Sequence, residues 1–311
     1  MSYTLQDLLE VEVDVRMTEE PQRAVFAQTV TQNKCLSWYT FKAVRISASM
    51  FKSVCRTSVE KPSLSLIKSF CYAISRTFKT KATEYGLKHE DSARTEYRKI
   101  MERDHRNFRV AKAGSVDSQD YLVLGASPDG LTKCNCCPLS CVEIKCPYRM
   151  KSPDITMQEF SLVERSFLRR EDDGAFKLDR EHAYFYQIHL QMHATRTTHC
   201  EFVVWSKTHL SVERIYFDST FLEKQLEKAL QFHKHVIMSE VLRKWYTMSK
   251  DRRVDKELCC DCGEEDDGDE MILCSNDECK NKWFHEKCVS LPNASSLHWF
   301  CRTCSIEIFN I

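Results

Sequence analysis

The chain has 311 residues, 42% hydrophobic and 29% charged, with only seven glycines and seven prolines. That composition excludes a disordered or collagen-like protein and leaves room for one sizeable core and a smaller satellite. Lys plus Arg and Asp plus Glu number 45 each, so the net charge is zero and total charge alone selects no partner.

The first residues, MSYTLQDLLEVEVDV, carry acids in place of a basic leader, and no long apolar run follows. A nuclear or cytoplasmic chain without signal peptide or membrane span is expected. Residues 1–33 read as a helix or ordered lead-in. From Cys35 to about Phe108 the spacing is mostly helical: SLSLIKSFCYAISR and HEDSARTEYRKIMERDH repeat apolar or small residues every three or four positions. Short β-rich segments are predicted at Phe108–Gly114, Tyr121–Ala126 and Cys141–Cys146, separated by turn residues (SPDG, TKCNCCPLS) as in a meander. A helix predicted at Asp179–Thr195, strands at Glu201–Ser206 and Ser211–Phe217, and a long amphipathic helix at Phe221–Trp245 complete an α/β core. The charged stretch 249–257 lacks periodicity and reads as a linker. The predicted organisation is a lead-in at 1–33, a main domain at 34–248, the linker, and a small module at 258–305.

Cysteine usage is uneven. Eight of the 17 fall between Cys259 and Cys304 and five between Cys134 and Cys146, while Cys35, Cys55, Cys71 and Cys200 are scattered. In a reducing compartment clustered cysteines read as metal ligands and isolated ones as small buried hydrophobes. Charge is uneven too. Residues 259–304 hold ten acids and four bases, a net of −6, and residues 1–258 hold 34 acids and 41 bases, a net of +7. A basic large domain suits a polyanion, and an acidic small one suits a basic tail.

In the small module the spacing is Cys259-x2-Cys262, Cys274-x4-Cys279, His285-x2-Cys288 and Cys301-x2-Cys304. Tetrahedral Zn²⁺ takes four N or S ligands, so these pairs make two closed structural sites. So short a segment cannot build an adequate apolar core, and the metal must supply folding energy. Cys260-x-Cys262 is an alternative first pair. The order of four Cys, one His and three Cys resembles the PHD finger. That resemblance implies interleaved ligation, with Cys259, Cys262, His285 and Cys288 on one ion and Cys274, Cys279, Cys301 and Cys304 on the other. It also implies a methyl-lysine pocket walled by Trp283 and Met271, drawing the ammonium by cation–π contact. A histone tail or other basic peptide would then be the partner. Leu258 stands where tail readers carry an aromatic residue. The alternative is that Trp283 packs the module and GEEDDGDE is a solvated loop.

A second constellation lies upstream. Asp129 sits in ASPDGL at the end of one predicted β segment. Glu143 and Lys145 sit in VEIKCP, two apart and so on one face of a strand, and Glu90 lies on an earlier helix. Phosphodiester hydrolysis needs this mixture. Carboxylates hold one or two Mg²⁺ or Mn²⁺ ions that polarise the phosphate and acidify a water. A lysine orients that water and offsets the charge of the transition state. An isolated E-x-K would be surface pairing. Here GLKHEDSARTEY, GASPDGL, VEIKCPYR and AYFYQIHLQMHATR together resemble the phage lambda exonuclease family, the YqaJ-type viral recombinase domain of the PD-(D/E)xK nucleases, over roughly Trp38 to Trp205.

The resemblance implies a restriction-endonuclease-like α/β core. It implies metal coordination by Asp129, Glu143 and the carbonyl of Ile144, with Glu90 close to the metals. Lys145 would be the catalytic lysine, Gln187 would orient the water or phosphate, and Tyr184 would be an aromatic at the site. Family members digest duplex DNA from a 5′ end as ring-shaped trimers, leaving a single strand for recombination. WYTFKAVRISAS resembles the family segment that holds the 5′ phosphate, with Ser49 at its end and Lys42 in place of the usual arginine. Lysine keeps the charge but loses the bidentate fork, and Arg45 is the nearby substitute.

TKCNCCPLSC places Cys134, Cys136, Cys137 and Cys141 in the loop joining the two catalytic strands, where they read as an extra metal site or as free thiols. His189 and His193, four apart, have metal-binding spacing but read better as a core or DNA-facing pair. The function expected is a metal-dependent deoxyribonuclease that a PHD-type finger tethers to chromatin or to a protein. The rivals are a chromatin reader on an inactive nuclease scaffold and a transposon-associated endonuclease.

Overall fold

The computed structural model describes residues 19–72, 80–247, 271–276, 279, 283–289, 299–301 and 304–305. These fall in two compact units, one ending at Tyr246 and the other beginning at Thr247. The start of the expected lead-in, the expected linker, and Leu258, Cys259, Cys260 and Cys262 lie outside the described residues. Among the described residues no helix is long and apolar enough to cross a membrane.

The larger unit begins with α1 (Glu19–Thr29), α2 (Leu36–Lys42), β1 (Ile46–Ser47), α3 (Phe51–Arg56), α4 (Leu64–Cys71) and α5 (Lys81–Asp104). Strands β2 (Arg109–Ala111), β3 (Val116–Asp117), β4 (Leu124–Ala126), β5 (Gly130–Lys133) and β6 (Ser140–Lys145) follow. After α6 (Met157–Ser161) come β7 (Leu168–Arg170), β8 (Phe176–Leu178), α7 (Ala183–Thr195), β9 (His199–Trp205) and β10 (Leu210–Tyr216). The chain then enters α8 (Ser219–Phe232), which runs through a π turn at His233–Ile237 into α9 (Met238–Arg243).

The main sheet has five strands in the order β10-β9-β6-β5-β2, with β6 and β9 parallel and the other pairs antiparallel. A parallel pair needs a crossover, and α7 lies within it. Strand β9 is buried along its whole length and β6 in all but its last residue, Lys145, so side chains on both faces pack. Val142 and Ile144 of β6, Cys146 just after it, and Val203 and Trp205 of β9 meet Ala93 and Tyr97 of α5. On the other face Cys141, Cys200, Phe202 and Val204 meet Ile188 and Met192 of α7. Period-2 alternation puts Glu143 and Lys145 on that second face, toward α7.

Helix α7 is enclosed on nearly every side. Ile188 and Met192 face the sheet, while Tyr186, Leu190 and Ala194 pack with Phe51 and Val54 of α3 and Leu222 and Leu226 of α8. Its remaining stripe, Tyr184, Gln187 and Gln191, follows the three- and four-residue spacing of one helix face. Helix α5 starts at a Thr80–Thr83 capping box and is tied to β9 by a Trp205 Nε1–H donated to Glu96 Oε2 at 2.7 Å. Helix α1 lies close against Gly114. A Cβ there would come within 2.0 Å of the Phe26 carbonyl oxygen, and Thr29 Oγ1 accepts the Ser115 N–H at 2.7 Å.

The expected α/β core is present, with four differences from the sequence reading. Asp129 does not end a strand. It leads into β5, a four-residue strand too short and too polar to show a period. The segment around Leu124–Ala126 leaves the expected meander and joins a separate sheet, β1-β4-β3. The β7–β8 hairpin has three residues per strand, four of the six being charged or half-exposed, and carries no alternation signal. Helix α7 starts at Ala183, because Asp179 Oδ1 accepts the Glu181 N–H at 3.0 Å in a local turn and the His182 ring caps Tyr184 N at 3.2 Å.

In the smaller unit β11 (Met271–Leu273) pairs antiparallel with β12 (Trp283–His285), setting Met271 opposite His285 and Leu273 opposite Trp283. Phe284 is buried against Trp299, with ring centroids 5.2 Å apart.

Candidate active site and metal centres

Glu143 is 1% exposed, and its carboxylate takes three donors, one from its own strand and two from α7. Lys145 Nζ and Gln187 Nε2 donate to its Oε1, the latter at 2.6 Å, and Gln191 Nε2 donates to its Oε2 at 2.6 Å. Asp129, at the mouth of β5, accepts the Ile144 N–H on Oδ2 at 2.7 Å. Arg94 on α5 donates to the Asp129 carbonyl oxygen at 2.9 Å and also to the carboxylates of Glu90 and Asp91. Lys145 Nζ lies 4.1 Å from the centre of the Tyr184 ring. Asp129, Glu143, Lys145, Gln187 and Gln191 line one cavity of about 210 Å³. Glu90 joins the group through Arg94, and Tyr184 through Lys145.

Burial, and after it the charges of Glu143 and Glu90, push the Asp129 carboxyl well above the usual carboxylate range, against the opposing pull of Lys145 and the Ile144 N–H. Burial also works against charge on Lys145, but Glu143, Tyr184 and Asp129 outweigh it and raise its pKa above the ordinary lysine value. Crowded carboxylates, countered only in part by Lys145 and Arg94, form a hard, oxygen-rich donor set. Mg²⁺ or Mn²⁺ suits such a set.

The same cavity reaches the Trp38–Ser49 segment, where Lys42, Arg45, Ser47 and Ser49 line it. Lys42 Nζ sits 4.0 Å from the Trp38 ring centre, and burial lowers its pKa to about 8. Ser47 Oγ and Ser49 Oγ are 3.3 Å apart. Arg45 donates to the Phe41 carbonyl oxygen at 2.8 Å and places Nε 3.4 Å from Asp117 Oδ2. Asp117 is 1% exposed, and burial, offset in part by Arg45, raises its pKa to about 6.

Gln191, Arg94 and Asp117 are among the polar residues here that escape the sequence reading. Gln191 is one turn beyond Gln187, and Arg94 one turn beyond Glu90. The i, i+4 spacing from each recognised residue is the available signal. Asp117 carries no local signal, because only the fold brings β3 beside Arg45.

His189 is fully buried, with Nδ1 2.9 Å from the Phe185 carbonyl oxygen, and His193 Nε2 lies 2.9 Å from Ser118 Oγ. The two serve separate contacts in the core, not one metal. Of the two readings open for Cys134, Cys136, Cys137 and Cys141, a metal site built from all four does not assemble. Cys141 is on β6, fully buried, and accepts from Thr197 Oγ1 at 3.6 Å, because alternation along the strand turns it into the α7 face.

In the smaller unit the sulfurs of Cys274, Cys279, Cys301 and Cys304 lie within 4.8 Å of one another, all buried. Four converging thiols are a zinc donor set. Of the second expected set, His285 is buried and Cys288 exposed, and Cys259 and Cys262 are outside the described residues. Trp283 is 46% exposed on β12. The side chain of Met271 is outside what the structure describes.

Comparison with known proteins agrees with both units. Over 56 residues the chain is 41% identical to the chromatin modification-related protein YNG2 of Kluyveromyces lactis, covering 18% of this chain and 19% of that one. Over 38 residues it is 47% identical to inhibitor of growth protein 1 of Mus musculus, covering 12% and 14%. The chain therefore spans about a fifth or less of the length of these two relatives. The similarity is at the C-terminus and supports a PHD finger there. The fold of the larger unit is shared with LHK-Exo, an alkaline exonuclease of Laribacter hongkongensis, solved in complex with dAMP. That match has 20% identity and a TM-score of 0.51, covering 68% of this chain and 97% of the other. The YqaJ-like viral recombinase domain matches residues 37–198, just over half of the sequence. The chain belongs to the YqaJ-like viral recombinase domain family.

Proposed function

We propose that the larger unit is a Mg²⁺-dependent DNA exonuclease acting on duplex ends, with the 5′-terminal phosphate held by the Trp38–Ser49 segment. The observation that carries this reading is the continuity of one cavity from Asp129, Glu143 and Lys145 to Lys42, Arg45 and Ser49. A scaffold needs no such set. An anion pocket opening onto the carboxylates suits an enzyme that grips a terminal phosphate and cuts a nearby bond. The fold shared with an alkaline exonuclease solved with dAMP supports the same reading.

Asp129, Glu143, the Ile144 carbonyl and Glu90 would hold the metal. A bound Mg²⁺ supplies Lewis-acid polarisation of the phosphate and acidifies a water. The protein's own groups do the rest. Gln187 and Gln191 fix both oxygens of Glu143, and Arg94 fixes Glu90 against the Asp129 main chain. Lys145, kept protonated by Glu143, Tyr184 and Asp129, presents a cation to the charge that develops on the phosphate. Lys42, partly desolvated and stacked on Trp38, gains most when a phosphate supplies its missing counter-charge.

The basic larger unit suits DNA, and the acidic PHD-type finger suits a basic peptide such as a histone tail. A nuclear protein tethered to chromatin follows, with Trp283 and Met271 as the peptide-reading residues. Linear and covalently closed circular duplexes, incubated with the full chain and Mg²⁺, test the exonuclease reading. Loss of the linear DNA alone is expected. Linearisation of the circle would replace this reading with an endonuclease.

A further inference from the structure

Outside the cleft the loop between β5 and β6 gathers a second cluster of metal-ligating side chains. His105 Nδ1 lies 3.4 Å from Cys136 Sγ, 3.4 Å from Cys137 Sγ and 3.8 Å from Cys134 Sγ. The sulfurs of Cys134 and Cys136 are 3.5 Å apart. All four ligand atoms lie within 4.8 Å of one another. Zn–S and Zn–N bonds of ordinary length at tetrahedral angles put sulfur about 3.8 Å from sulfur and about 3.6 Å from nitrogen. The cluster has the dimensions of that shell.

Neither a disulfide nor hydrogen bonding accounts for this convergence. A sulfur–sulfur distance of 3.5 Å is far beyond a disulfide bond of about 2.0 Å. Three thiols aimed at one ring nitrogen cannot all be hydrogen bonds, because Nδ1 has one lone pair or one proton. A cation in their midst satisfies all four at once.

We propose that His105, Cys134, Cys136 and Cys137 bind a structural Zn²⁺. Three thiolates with one imidazole select zinc over the hard cation expected in the cleft. Four protein ligands close the shell, so no position is left for substrate. On binding, three thiols release three protons to solvent and the neutral imidazole gives its lone pair, leaving a site of net charge −1. Arg103, Arg106 and Lys133, against one acid, Asp104, flank the ligands in sequence, so the neighbouring charge is net positive.

The position of the site gives its role. His105 caps the C-terminal end of α5, the helix that carries Glu90 and Arg94. The three cysteines follow β5, which begins beside Asp129, and precede β6, which ends at Glu143 and Lys145. Asn135 N–H already pairs with the Arg106 carbonyl oxygen at 3.0 Å. The ion is a strut joining helix and hairpin at the end remote from the chemistry, fixing the angle at which their carboxylates meet.

The test is zinc content per chain, by atomic emission, of the full-length protein purified without chelator. His105→Ala and Cys134→Ser/Cys137→Ser are expected to carry one zinc fewer than wild type. His105→Cys is expected to keep it, and Cys35→Ser, outside the cluster, to match wild type. Equal zinc in wild type, His105→Ala and the double variant overturns the proposal. If the variants fail to fold, alkylation of the wild type decides. The exposed Cys136 is expected to resist iodoacetamide until a chelator removes zinc. Immediate labelling, or a disulfide between any of these cysteines in freshly purified protein, overturns the proposal.

Discussion

Lys42 is a cation held in an unfavourable place: burial brings its pKa down to about 8, and its Nζ sits 4.0 Å from the centre of the Trp38 ring. Arg45 cannot simply replace it, because its guanidinium already serves Asp117 and the Phe41 carbonyl. If Lys42 grips the terminal phosphate, the preference for 5′-phosphorylated over 5′-hydroxyl ends depends on pH in a definite direction. As pH rises through about 8 the free enzyme's Lys42 loses its proton. The ratio of kcat/KM values should then fall about tenfold between pH 7 and pH 9. Lys42→Arg, charged throughout this range, should hold its ratio constant. Steady-state kinetics on the two kinds of end measure both. A flat wild-type profile would remove Lys42 from the phosphate site.

At the scale of elements, α7 decides the shape of the centre. Two of its faces are consumed by packing, and the third delivers Tyr184, Gln187 and Gln191 to Lys145 and Glu143. Gln191→Leu leaves one oxygen of a buried carboxylate without its donor, at a cost of about 1–3 kcal/mol. Loss of a group that orients a metal-binding carboxylate typically lowers activity by roughly 10–100-fold. We predict that drop in kcat with unchanged far-UV circular dichroism. Wild-type activity in this variant would show that Gln191 only packs. Much of this geometry is legible in the sequence. Glu143 and Lys145 share a face because strands alternate, and Gln187 stands in a recognisable run. What stays hidden lies in contacts that only the fold makes. Strand β5 is too short to announce itself, so the sequence places Asp129 at the end of a strand when it precedes one. His105 is 29 residues from Cys134 and nothing local joins them, so sequence spacing points to Cys141 as the fourth ligand. Asp117 meets Arg45 only through the β1-β4-β3 sheet.

On the scale of the whole molecule, two units of opposite charge carry two chemistries, a carboxylate–lysine cleft and a thiol-rich finger. In the finger Trp283 and Leu273 are paired across the β11–β12 ladder, and both are exposed. If this face reads a basic peptide, Trp283→Ala in the full chain should weaken binding to histone-tail peptides at least tenfold, on the scale of losing a desolvated cation–π contact of about 2 kcal/mol, while leaving DNA cleavage unchanged. Identical binding by fluorescence anisotropy would assign Trp283 to another role. The cleft is what would make the molecule an enzyme. Cleavage of end-labelled linear duplex DNA by the full chain, with and without Mg²⁺ and beside Asp129→Ala and Lys145→Ala, probes it without intermediaries. Mg²⁺-dependent release of nucleotides by the wild type is expected, with a loss of roughly 10²-fold or more in each variant. Absence of cleavage by the wild type, or equal cleavage by all three proteins, would contradict a nuclease built on these residues.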